Sequence, residues 1–292
     1  MKIKRNIPYF LSAIIIATLL SFDAAILEND NNTKFGDLND FKQKYSISYH
    51  QEADYNLQKQ EIKEHVEQLI TTYVDNAVNG AKRILENKKD KGYVSAVRKE
   101  LPGAPAACQH CLYGQYTQLN RALQQMGDTI QIIPTANNAH RATNSFKRSM
   151  TKLYDNPNYP NSIHRGHLYM SDKEYTQALN RYIATKTRGQ TDTTLCKKYT
   201  KEFEKGNYCA EHLNPGTIII VNSGHAIMYL GIGRIQNKEF IPDKKGQPVC
   251  CAYNSEHTAM LLSYWEVNNS FAADIQNIAT QKYLAQLQTK TK

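Results

Sequence analysis

Three closely spaced apolar runs in the last third of the chain limit its architecture more than any other feature. Pro215-Gly-Thr-Ile-Ile-Ile-Val221 opens on a Pro-Gly turn. After Asn222-Ser-Gly224 comes His225-Ala-Ile-Met-Tyr-Leu-Gly-Ile-Gly-Arg-Ile235, and after the turn Pro242-Asp-Lys-Lys-Gly-Gln247 comes Val249-Cys-Cys-Ala-Tyr-Asn254. Runs rich in β-branched and aromatic residues, bounded by turn residues, read as strands. Links this short join antiparallel neighbours, because parallel strands need a long crossover. The block is therefore expected to be an antiparallel meander.

Helical patterns surround it. Ile62, Val66, Leu69, Tyr73, Ala77 and Ile84 recur at helical steps with Lys and Glu between them, which predicts a helix over about 55–86 with room for a break at Gly80. Residues 93–101 suit a short helix. Leu112, Tyr116, Leu119 and Leu123 predict another over about 107–125, stopped by Gly127. Further helices are expected over 169–185, with Tyr175, Leu179 and Ile183 on one face, and over 271–287, with Phe271, Ile275, Ile278, Tyr283 and Leu287. Ile130-Gln-Ile-Ile133 before Pro134 suits a short strand. Residues 135–161 read as long loops and 186–213 as a polar insertion. Helices grouped around an antiparallel sheet define an α+β fold.

The chain begins with a basic start, Met1-Lys-Ile-Lys-Arg-Asn, and an apolar run from Ile7 to Phe22, the layout of a secretory signal. Cleavage after Ala25 removes three basic residues and one acidic residue, taking the net charge from +9 to +7; an uncleaved signal anchor is the alternative. Residues 26–54 are polar with little apolar patterning and read as a flexible leader. A basic exported chain is drawn to anionic surfaces. No Lys/Arg block interleaved with aromatics suggests a nucleic-acid partner. Export also makes disulfides the first expectation for the six cysteines. Cys196 and Cys209 flank a short polar segment and form the simplest pair, while Cys108 could bridge to Cys250 or Cys251.

Chemistry concentrates at the loop-to-helix junction Pro102-Gly-Ala-Pro-Ala-Ala-Cys-Gln-His-Cys111. A thiol at a helix start meets unpaired backbone N–H groups and the positive end of the macrodipole, which favour its thiolate. Thiol catalysis needs that thiolate, an imidazole to move its proton, and a group to orient the imidazole. Cys111, His225 and Asn254 fill these roles in order, with Cys108 the alternative nucleophile and Asp243 and Glu256 alternative orienting groups. A lone Cys108-x-x-Cys111 lacks the second half of a zinc motif, so no metal or other cofactor is expected.

The segment Pro215–Gly231 resembles the histidine region of NlpC/P60 and CHAP-type papain-like peptidases and amidases. Those proteins share its Pro-Gly turn, apolar strand, Gly-His and glycine-terminated second strand. Cys111-Leu-Tyr-Gly-Gln-Tyr-Thr-Gln-Leu is similar to the family's cysteine at a helix start, and the Cys108-Gln-His-Cys111 spacing resembles papain's. The resemblance implies a papain-like helix packed on an antiparallel sheet, here with N- and C-terminal helical additions. It also implies a cysteine hydrolase cleaving amide bonds, with peptidoglycan peptides or proteins as substrate. The expected organisation is an export segment at 1–25, a leader at 26–54, a helical extension at 55–100 and a catalytic domain at 101–292, with an insertion at about 135–213. The alternative function is a secreted, disulfide-bonded binding domain without catalysis.

Overall fold

The computed structural model describes residues 38–103, 110–134, 143–221, 224–253, 258–264 and 268–290. The export segment and the first part of the leader lie outside the described residues. The chain divides into two units, Met1–Leu57 and Gln58–Lys292. The first is described only as helix, the start of α1 (Leu38–Lys91), and the second carries the sheet and every later helix. No helix among the described residues is long and apolar enough to cross a membrane.

Helix α1 starts well before residue 55, inside the expected leader, and ends beyond residue 86. No proline or glycine stands between Gly36 and Gly80 to interrupt it. Nor does Gly80 break it. A Cβ at Gly80 would sit 2.6 Å from Gln118 Nε2 and 2.9 Å from the Tyr253 hydroxyl, so this glycine serves close packing. Val66, Leu69, Tyr73, Ala77 and Ile84 are buried as their spacing requires.

The short helix α2 (Tyr93–Glu100) follows, then α3 (His110–Gln125), α4 (Thr143–Tyr154) and β1 (Ile163–Tyr169). Gly127 closes α3 with φ +68°, and the Asp128 N–H reaches back to the Leu123 carbonyl. Ile130, Ile132 and Ile133 are buried but form no strand: the Ile132 carbonyl accepts the Tyr154 hydroxyl at 2.5 Å in place of a strand partner. α4 occupies a segment expected to be loop, anchored by Phe146, Met150 and Tyr154 at four-residue spacing. Helices α5 (Asp172–Thr187) and α6 (Thr193–Glu204), β2 (Asn207–Cys209) and a 3₁₀ turn at Ala210–His212 come next. α5 begins on a full capping box between Ser171 and Glu174.

The meander forms as its pattern predicts, with β3 (Ile218–Ile220), β4 (Ala226–Gln236), β5 (Glu239–Pro242) and β6 (Gln247–Cys251). β7 (Met260–Leu261), a 3₁₀ turn (Leu262–Tyr264), β8 (Ser270–Ala273) and α7 (Ile275–Lys290) complete the chain. The sheet runs β2-β1-β8-β3-β4-β6-β7, with β5 paired to β4. Every pairing is antiparallel except β1 with β2. Phe271, expected in the last helix, instead lies on β8 at the middle of this sheet, because Asp274 ends the strand and caps α7 through the Asn277 N–H. β1 joins the sheet through β8, so the segment expected as an insertion contributes to the central layer.

Alternation along the strands divides the core in two. Ile218, Ile220, Met228, Leu230, Val249, Cys251 and Phe271 face the cluster built from α1–α4 and α7. Ile219, Val221, Ile227, Tyr229, Cys250 and Ala272 face a second cluster with Leu168, Tyr208 and Leu213. Each Val, Leu, Ile, Met or Phe among them contributes roughly 1.5–3 kcal/mol on burial. The fold is α+β, with helices against a mostly antiparallel sheet.

Candidate active site

Cys111 stands in the first turn of α3 and is only 4% exposed. Its Sγ accepts a hydrogen bond from the Ala226 N–H at 3.4 Å. That N–H belongs to the peptide joining His225 to Ala226, so the sulfur rests against the backbone unit that carries the imidazole. Residues far apart in sequence thus meet because α3 packs across the beginning of β4.

His225 is half-buried and its Nε2 is shielded from solvent. Burial lowers its pKa below the ordinary 6.5, since a low-dielectric setting disfavours the imidazolium. Neutral imidazole is the form able to accept a thiol proton. The backbone in front of it turns tightly. The Gly224 N–H donates to the Val221 carbonyl and the Val221 N–H to the His225 carbonyl, at 2.8 and 3.0 Å. Gly224 has φ +75°, and a Cβ there would stand 3.1 Å from Thr143 Oγ1 at the start of α4. The glycine preceding the histidine therefore answers both a left-handed backbone and a close neighbour.

Asn254 and Glu256, like Cys108, lie outside the described residues. Tyr253, just before Asn254, is firmly held. Its hydroxyl donates to the Ala77 carbonyl at 2.9 Å, and its carbonyl accepts the Tyr93 hydroxyl at 3.3 Å. Its ring covers Gly114, where a Cβ would fall 2.7 Å from the ring carbons. Asp243 is placed elsewhere: its N–H bonds the Ile232 carbonyl, seven residues along β4 from His225, or about 23 Å of strand at about 3.3 Å per residue. It cannot orient that ring.

Sequence pattern alone does not single out Gly114 and Tyr253. A glycine inside an otherwise good helix costs about 1 kcal/mol and signals a close approach, and that is the one clue the sequence offers. Tyr113 and Tyr116 serve packing, Tyr113 also donating to the Pro102 carbonyl at 2.7 Å.

Three other described thiols, Cys209, Cys250 and Cys251, are set apart from this chemistry by burial. Burial raises Cys251 to about 12 and Cys209 to about 11, which disfavours thiolate, and the Cys250 Sγ–H donates to the Met260 carbonyl. No two described cysteines are bridged. Cys196 in the first turn of α6 and Cys209 at the end of β2, expected as a pair, are separate thiols. No cluster of potential metal ligands occurs among the described residues.

The chain matches no family model, no curated protein and no solved structure.

Proposed function

We propose that this protein is an exported cysteine hydrolase of papain-like design that cleaves amide bonds, with Cys111 as nucleophile and His225 as its base. The observation that carries the reading is the hydrogen bond from the Ala226 N–H to Cys111 Sγ, which brings the helix-start thiol and the Gly-His strand together. The resemblance of both segments to NlpC/P60 and CHAP-type proteins points the same way. Asn254 completes the proposed triad as the group that orients His225.

In the proposed reaction His225 takes the Cys111 proton as the sulfur attacks the substrate carbonyl, giving a tetrahedral oxyanion. N–H groups at the start of α3 are suited to stabilise that charge. Collapse expels the amine, which receives the proton from His225, and leaves a thioester on Cys111. Water, activated by the same imidazole, then releases the acid and restores the thiol. Peptidoglycan peptides or proteins are the proposed substrates.

Amide hydrolysis assayed on peptidoglycan and on a denatured protein should fall at least a thousandfold in Cys111→Ala, with an unchanged circular dichroism spectrum. Full activity in that variant would refute the assignment. Loss in a Cys108→Ala variant alone would transfer the nucleophile to Cys108.

A further inference from the structure

We propose that the cavity between α4 and β1 is a binding site for a phosphate-bearing ligand, separate from the thiol. The cavity has a volume of about 510 Å³. Lys147, Arg148 and Lys152 enter it from α4 and Arg165 from β1, while Gly166 and Ser270 contribute to its floor. Among the described residues, the only carboxylate paired with any of these four cations is Asp155, which binds Arg165. Three positive charges are thus left in excess around one concavity.

The arrangement is built into the fold. Phe146, Met150 and Tyr154 bury one face of α4, which turns Arg148 and Lys152 away from the core and leaves both exposed. Arg148 and Lys152 are four residues apart and so share a helix face, where like charges repel. An anion between them would relieve that repulsion. Arg165 is pinned by β1–β8 pairing opposite Phe271, and its Nη2 donates to Thr151 Oγ1 at 3.0 Å. The guanidinium is therefore oriented before any ligand arrives.

The floor is backbone-lined for a reason. Gly166 has φ +103°, and a Cβ there would collide with the Gly206 carbonyl oxygen at 2.0 Å. Ser270 pairs with Gly166 across the strands and donates its hydroxyl to the Gly166 carbonyl at 2.8 Å. A single carboxylate would leave most of the charge unmatched. A ligand with several phosphate oxygens matches the excess of three, with the Arg148 guanidinium able to make oxyanion contacts beside the two lysines.

The test is calorimetric titration of the full chain with sodium tripolyphosphate at low salt. The parent should bind, Arg148→Glu/Lys152→Glu should bind at least tenfold more weakly, and Lys197→Glu/Lys198→Glu on α6, with the same change in charge, should stay within twofold. Circular dichroism checks that each variant is folded. Cys111→Ala should bind as the parent does, which separates this site from the proposed hydrolase reading. Co-sedimentation with phosphatidylglycerol vesicles, against phosphatidylcholine vesicles, identifies the source. Binding lost only in the α4 variant indicates a lipid headgroup, and tripolyphosphate binding without vesicle binding indicates a free phosphate ligand. No binding of tripolyphosphate by the parent, or equal weakening in the two charge variants, would overturn the proposal.

Discussion

Gly114 sits one helical turn after Cys111, and its missing side chain is what lets the Tyr253 ring lie on α3. A methyl there must displace either the ring or the helix. Gly114→Ala is expected to destabilise the fold by about 1–3 kcal/mol, the usual range for overpacking, despite alanine's better helix propensity. Urea unfolding measures this, and a stabilised variant would show that the helix yields freely. At the same scale, burial holds both His164 and His225 below the ordinary histidine value of 6.5. The unfolded chain therefore binds protons that the folded chain excludes. This contribution to stability is complete above about pH 6.5 and declines as pH falls from there toward the folded values. His164, stacked on Tyr208, is the more convenient probe because it lies outside the proposed catalytic pair. Between about pH 7.5 and 5.5, a window spanning the ordinary histidine value, the parent should lose stability more steeply than His164→Gln; equal slopes would count against the buried imidazole.

Between elements, the decisive contact is polar. Glu100 ends α2 and binds Arg83 of α1 through two hydrogen bonds of 2.8 Å. It also binds Arg121 of α3 at 2.6 Å and accepts from Gln118 at 3.1 Å. Burial opposes ionisation of Glu100, but its hydrogen bonds to Arg83, Arg121 and Gln118 prevail and hold its pKa below the ordinary carboxylate value. Both arginines remain partly exposed, so Glu100→Gln should cost roughly 2–3 kcal/mol, between exposed and fully buried pairs. Denaturant melts at neutral pH would measure it, and a loss under about 0.5 kcal/mol, the scatter of a neutral surface change, would contradict this role. Such a clamp joins residues distant in sequence and has no local signature. For the same reason α4 is hard to foresee: three anchors among Asn, Ser, Lys and Arg form a thin apolar stripe. β8 is hidden by the opposite problem, since Phe271 fits the helical spacing of Ile275 and Ile278 as well as a strand. The meander and α3 are legible because their periodicities extend far enough to exclude alternatives.

Across the whole second unit, one sheet separates two apolar clusters, and α3 lies against the helix-covered face where β4 begins. That placement makes Cys111 and His225 neighbours although their separation in sequence hides it. Their residue types and local contexts mark them in advance, whereas the Tyr253–Gly114 contact beside them depends on tertiary packing alone. Asp243, attractive by residue type, is removed by strand length. The most direct test of the central claim is the pH dependence of iodoacetamide alkylation at Cys111, followed by mass spectrometry of the native protein. With the helix start favouring its thiolate, Cys111 should react faster than the other described cysteines and reach half its maximal rate below about pH 8.5, the value for a free thiol, and His225→Ala, which removes the proton acceptor, should slow that reaction. A Cys111 that stays unmodified while other thiols react, or a rate indifferent to His225, would contradict the pairing of the two.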